Sequence, residues 1–67
     1  MYYNEKLLEL RIKNGLKQED IARQLNISQR TYSHYETGEH KLPVDILIDL
    51  CRYYNVSSDY ILGLNDR

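Results

Sequence analysis

Apolar residues along this chain recur every three or four positions, the repeat expected of one face of an α-helix. Leu7 and Leu10, with Leu8 and Ile12 beside them, mark one such face. Ile21, Ala22 and Leu25 mark a second, and Ile46, Leu47, Leu50, Cys51 and Tyr54 a third. β-branched runs, which favour strands, are absent. The pattern and its punctuation predict five short helices. The first covers about residues 4–13 and stops at the turn signal Asn14-Gly15. The second covers about 18–25; Lys17 ahead of it is a poor N-cap, although Glu19 and Asp20 suit the positive end of a helix dipole. Asn26 then stands where left-handed backbone is needed, a place Asn fills when Gly does not. Ser28 is a good N-cap for a third helix, which Gly38 ends near Thr37. "EHKLP" reads as a loop, with Pro43 in the first turn of a fourth helix over about 44–54. Asn55 closes that helix, Ser57 caps a short fifth one over about 57–62, and Gly63 terminates it. The expectation is a single all-α domain over 1–67, a five-helix bundle with short connections.

Composition narrows the class. A chain of 67 residues buries only about 60% of its unfolded surface, so its core must be used efficiently. The lone Cys51 excludes an internal disulfide and suits a reducing compartment, so a cytoplasmic location is expected. No Cys/His cluster has zinc-ligand spacing, and neither a metal, another cofactor nor a small-molecule ligand is expected. "MYYNEKLLEL" lacks the basic patch and apolar run of a secretory leader, and no apolar stretch is long enough to span a membrane. Nine Lys/Arg against ten Asp/Glu give a net charge of −1. That balance neither demands nor excludes a nucleic-acid partner, because binding depends on where charges sit.

The second and third helices carry more information than any single residue. Joined by about three residues, they must cross steeply, so a small side chain is needed where their backbones approach. Ala22 meets that need, with Ile21, Leu25 and Ile27 around it. At ~100° per residue, Gln29, Arg30, Ser33, His34 and Thr37 of the third helix share one arc of roughly 140°. Tyr32 and Tyr35 lie on the opposite side, facing the core. The polar arc holds hydrogen-bonding side chains where a solvated face usually carries Glu and Lys. A Gln amide pairs bidentately with adenine, an Arg fork with guanine, and Ser reaches either. Such a surface suits a helix lying in the major groove of DNA.

Residues 16–63, "LKQEDIARQLNISQRTYSHYETGEHKLPVDILIDLCRYYNVSSDYILG", resemble the helix-turn-helix domain of the lambda-repressor/Cro-like family, also called the Xre family. With "LLELRIKNG" of the first helix, the likeness covers nearly the whole chain, and the motif itself occupies about 18–37. It is carried by Gln18 opening helix two, Ala22 within it, Ser28 at the cap, and Glu36 with Gly38 closing helix three. The resemblance implies that Gln29, Arg30, Ser33 and His34 contact bases. It implies that Gln18, Lys17, Thr37, His40 and Lys41 contact the DNA backbone, and that Arg11 and Glu36 form a structural ion pair. Three residues depart from the family pattern. Lys17 replaces a Thr cap, Asn26 replaces a Gly, and Tyr32 stands where Ile or Val is typical.

Blander readings exist for several of these residues. Gln29 and Arg30 alone could be an ordinary solvated face, and His34 a backbone contact. His34 and His40 lack a third metal ligand at helical spacing. Glu36 beside His34 resembles a catalytic pair, but adjacent helical residues do not face one another, and no nucleophile or oxyanion site accompanies them. Tyr35 and Tyr54 are expected in the core or at its rim with hydroxyls reaching water, and Tyr2, Tyr3 or Tyr60 in a dimer interface. Cys51 serves as a small hydrophobe. Lys13, Lys17, Arg30, His40 and Lys41 lie towards the reading helix, whereas Asp45, Asp49, Asp59 and Asp66 lie in the later helices and tail.

The chemistry of the polar arc points to a DNA-reading helix, and the resemblance implies a non-enzymatic, sequence-specific regulator of transcription of bacterial or phage type, expected to bind double-stranded DNA as a repressor. Two or three base contacts of ~1–3 kcal/mol each cannot find one site among ~10⁶ competitors. A homodimer on a palindromic operator is therefore expected, with "YILGLNDR" as its contact. The competing class is a helical module that binds a protein partner, as an antitoxin or an antagonist of another regulator.

Overall fold

The computed structural model describes residues 2–64, with side chains from Tyr3 onward. Asp66, the end of the "YILGLNDR" segment and the side chain of Tyr2 lie outside the described residues. Five helices follow one another: α1 (Tyr2–Lys13), α2 (Gln18–Gln24), α3 (Gln29–Thr37), α4 (Val44–Tyr54) and α5 (Ser58–Leu62). Every helix supplies the core, through Leu7 and Leu10 of α1, Ile21 and Ala22 of α2, Tyr32 and Tyr35 of α3, Ile46 and Leu50 of α4, and Ile61 of α5. α3 packs against both α1 and α2, while α5 closes the bundle against α1 and α4.

The helix ends are set by local chemistry. Ser28 Oγ accepts the Thr31 backbone N–H at 3.1 Å, and Ser57 Oγ accepts that of Tyr60 at 3.1 Å. Each satisfies one of the donors that a helix start leaves unpaired. α2 uses a different device. Lys17 has no acceptor to offer, and instead the Asp20 carboxylate reaches back to the Lys17 backbone N–H at 2.9 Å. This is the reciprocal half of a capping box, and an acid three residues past the cap was the signal for it.

Four C-termini share one closure. Gly15, Asn26, Asn55 and Gly63 adopt left-handed backbone. The next residue, Leu16, Ile27, Val56 or Leu64, donates its N–H to a carbonyl five residues back at 2.9–3.0 Å. This is the Schellman arrangement, here with an apolar residue at the closing position each time. Between α2 and α3 it compresses the connection to Leu25–Ser28, so that Ala22, almost fully buried, marks the close approach.

Four boundaries differ from the sequence reading, the slightest being that of α5, which starts at Ser58 with Ser57 outside it as the cap. α1 starts at Tyr2 because the helix carries Tyr3 onto the core, where its hydroxyl accepts the Leu42 N–H at 3.0 Å. α2 ends at Gln24, with Leu25 as its cap. Pro43 is the N-cap of α4, outside its first turn, with extended backbone (ψ 151°). Its carbonyl accepts the Leu47 N–H and so starts the helix. Tyr54 also departs from expectation: its hydroxyl is buried without a hydrogen bond and does not reach water. The same burial, acting first, pushes its pKa up to about 12.

Asn26 at φ 60° is a position where a β-branched side chain is strained. Asn26→Val is expected to cost about 1–2 kcal/mol in thermal or urea unfolding, whereas Asn26→Gly is expected to stay within about 0.5 kcal/mol of the parent.

Candidate nucleic-acid interface

The exposed face of α3 is built by what its other face buries. Tyr32 is fully buried and Tyr35 nearly so, which turns Gln29, Arg30 and Thr37 outward into solvent and leaves Ser33 and His34 half-exposed beside them. Helical geometry places all five on one arc. Ser28 also donates to Thr31 Oγ1 at 2.8 Å, so both polar groups at the helix start are engaged away from that arc.

Behind the face lies a buried ion pair. Arg11 of α1 grips the Glu36 carboxylate with two parallel bonds, Nε to Oε2 at 2.9 Å and Nη2 to Oε1 at 2.8 Å. A third donor, Nη1, reaches the Leu16 carbonyl at 3.0 Å. Glu36 has only 5% of its side chain exposed and Arg11 15%. An acid in the last turn of a helix faces the negative end of the dipole, so Glu36 needs this partner. Burial pushes the Glu36 pKa up, but Arg11, Tyr32 and Gln18 together outweigh it and hold the carboxyl below its ordinary value. Tyr32 brings its hydroxyl beside the carboxylate without closing a hydrogen bond. Burial first, and then the adjacent Glu36 carboxylate, hold that phenol well above its usual range. The aromatic ring stands where the resemblance has Ile or Val as typical, and it adds a polar tip to the cluster.

Gln18 joins the same carboxylate. Its amide donates from Nε2 to Glu36 Oε1 at 3.2 Å, so the first residue of α2 is oriented by the last turn of α3. The sequence reading assigned Gln18 to DNA and Glu36 to Arg11 and did not connect the two, because residues eighteen apart in sequence carry no spacing signal. Gln18 has a second amide hydrogen and its carbonyl oxygen in reserve.

The loop after α3 holds the remaining candidates. Gly38 takes φ 84° and turns the chain over Asn4 of α1. His40 and Lys41 beyond it are exposed, as is Lys17 at the start of α2. The two histidine rings meet edge to face, with centroids 4.5 Å apart. Charge is less cleanly divided than the sequence reading had it. Lys13, Lys17, Arg30 and Lys41 are exposed, but so are Glu19 next to Gln18 and Glu39 next to His40. Among the described residues, no group of three or more His, Cys, Asp or Glu side chains could hold a metal ion.

A family model described as helix-turn-helix matches residues 7–61. The chain belongs to the lambda-repressor-like (Xre) helix-turn-helix family. It is 42% identical over 96% of its length to the uncharacterized HTH-type transcriptional regulator YobD of Bacillus subtilis (strain 168), covering 57% of that protein. It is 38% identical over 98% of its length to the HTH-type transcriptional regulator ImmR of the same organism, covering 52%. A solved structure of a transcriptional regulator from Listeria innocua is similar with a TM-score of 0.86 and 38% identity, over 91% of this chain and 57% of that one. The chain thus spans about half the length of the curated relatives it matches. The Xre-family domain is a regulator domain and not an enzyme.

Arg11→Ala leaves a buried carboxylate unpaired and is expected to cost about 3 kcal/mol or more in urea unfolding. Arg11→Lys, which lacks the planar fork, is expected to fall between that variant and the parent. A carboxyl whose folded pKa is lowered adds stability that is complete above its unfolded value of ~4.3 and is lost as pH falls through the folded value. The stability of Glu36→Gln is therefore expected to change less than that of the parent as urea midpoints are followed from pH 6 down to pH 3.

Proposed function

We propose that this domain is a sequence-specific binder of double-stranded DNA that regulates transcription, with α3 reading bases in the major groove. One observation carries the reading: the outward arc of α3 consists of base-complementary side chains on a helix whose opposite face is locked into the core by Tyr32 and Tyr35. Gln29, Arg30, Ser33 and His34 are the base-contacting residues. Gln18, Lys17, Thr37 and Lys41 approach the phosphates. The relatives' designation as transcriptional regulators supports the same role here. The domain, taken as one unit over 1–67, acts in the cytoplasm as a repressor. No helix among the described residues is long and apolar enough to cross a membrane, in keeping with that location.

Binding takes place as a homodimer on a palindromic operator whose half-sites lie about one helical turn, ~34 Å, apart. Ile61 in "YILGLNDR" is fully buried in the core and so is not available to a second copy, whereas Leu64 is 74% exposed. α4 offers a better surface. Val44 (72% exposed) and Ile48 (46%) lie on one stripe, bordered by exposed Asp45 and Arg52. Two copies of α4 packed antiparallel about Ile48 would set Arg52 of each against Asp45 of the other.

Selection from random duplexes, followed by anisotropy across a salt series, tests the reading. The parent is expected to enrich a two-fold symmetric sequence. Arg30→Ala is expected to lose about 1–3 kcal/mol and to relax one position in each half-site. Identical enrichment by parent and Arg30→Ala would remove Arg30 from the readers. In sedimentation on operator DNA two copies are expected per site, and Ile48→Asp is expected to leave one.

A further inference from the structure

We infer that His40 determines specificity by positioning the imidazole of His34, and that it does not serve as a phosphate contact. The inference rests on the reading that the outward face of α3 addresses DNA. The family resemblance placed His40 among the backbone-contacting loop residues, but the geometry gives its ring another occupation.

His34 lies at the edge of the reading arc, one turn beyond Arg30. Its ring meets that of His40 with centroids 4.5 Å apart and planes at 74°, an edge-to-face contact. The backbones are tied as well. The His40 N–H donates to the His34 carbonyl at 3.1 Å, and Thr37 Oγ1 donates to the same oxygen at 3.3 Å. The loop that carries His40 is held independently at both ends. Gly38 turns it over the Asn4 side chain in left-handed backbone, and Leu42 donates its N–H to the Tyr3 hydroxyl at 3.0 Å. His40 therefore sits on a fixed platform built from α1.

A half-exposed histidine at a helix surface ordinarily samples several staggered rotamers. Base readout by a single ring needs one orientation, because hydrogen-bond strength falls steeply with angle. A second ring set edge-on beside the first removes alternatives before DNA arrives, so less ordering remains to be done on binding. This makes His40 a positioning residue, acting through His34 and contacting no base itself.

Base preferences of His34→Ala, His40→Ala, the double variant and His40→Phe, measured by anisotropy on duplexes substituted at each operator position, test this. Phe keeps the ring contact but offers a phosphate neither charge nor hydrogen bond. His40→Ala is expected to reduce discrimination roughly 3- to 10-fold at the one half-site position that His34→Ala also relaxes. The double variant is expected to lose no more than His34→Ala alone, and His40→Phe to stay within about two-fold of the parent, with the salt slope unchanged throughout. Uniform weakening on all duplexes with a shallower salt slope would overturn the inference in favour of a phosphate contact, as would independent losses that multiply in the double variant. In the DNA-free protein, the His34 ring proton resonances are expected to shift in His40→Ala and to move far less in His40→Phe. Unmoved resonances in His40→Ala would overturn the ring contact itself. A parent protein that selects no duplex while the resonances shift as expected would retire the DNA reading and the specificity role with it, leaving the ring pair as a structural contact only.

Discussion

The Glu36 carboxylate is the point on which α1, α2 and α3 converge. It is buried at the unfavourable end of α3, where a charge left without partners would cost several kcal/mol. Arg11 approaches it from α1 with a two-pronged grip, Gln18 from α2 with an amide hydrogen, and Tyr32 flanks it from its own helix. A planar guanidinium accepts few alternative geometries, so satisfying this group fixes the distance and rotation between α1 and α3. The same carboxylate also orients Gln18 at the mouth of the proposed DNA surface. Stability and the shape of the site therefore depend on one set of bonds.

Around this constraint the remaining architecture is largely local. Each of the four Schellman closures is made within six consecutive residues, and each needs only a Gly or Asn to take left-handed backbone and an apolar residue after it. The Ser28 and Ser57 caps are similarly short in range. A 67-residue domain with a modest core gains from such economy, because every helix end that is satisfied locally leaves the apolar faces free to pack. The resulting rigidity matters to function: α3 presents its polar arc on a helix that is capped at the start, anchored by two tyrosines and tied at its end through Glu36.

The arrangement also bears on how a slightly acidic chain would present the proposed DNA-facing surface. Lys13, Lys17, Arg30 and Lys41 are exposed on or near the reading unit, but Glu19 and Glu39 dilute their field. Nonspecific attraction, which grows with the number of phosphates neutralised, is correspondingly modest. Under the proposed function, recognition rests on hydrogen-bond geometry at α3 and on two-fold symmetry.

By itself, the sequence determined the elements and the identity of the exposed arc. Apolar spacing, Asn26, Ser28, Ser57 and the glycines are signals read over a few residues, and they located all five helices within about two residues at each end. The periodicity of α3 likewise separated Tyr32 and Tyr35 from Gln29, Arg30, Ser33 and His34 before any tertiary contact was known. Only the tertiary structure decided the connections between residues distant along the chain. It joined Gln18 to Glu36, Tyr3 to the Leu42 backbone, and the unpartnered Tyr54 hydroxyl to the interior. The His34–His40 ring contact needed it too, although the two are only six apart, because Gly38 reverses the chain between them. Periodicity reports which side of a helix is buried, but not which atom another element will place against it. That choice is made by packing, and here it was settled where a buried charge on α3 required partners from two other helices at once.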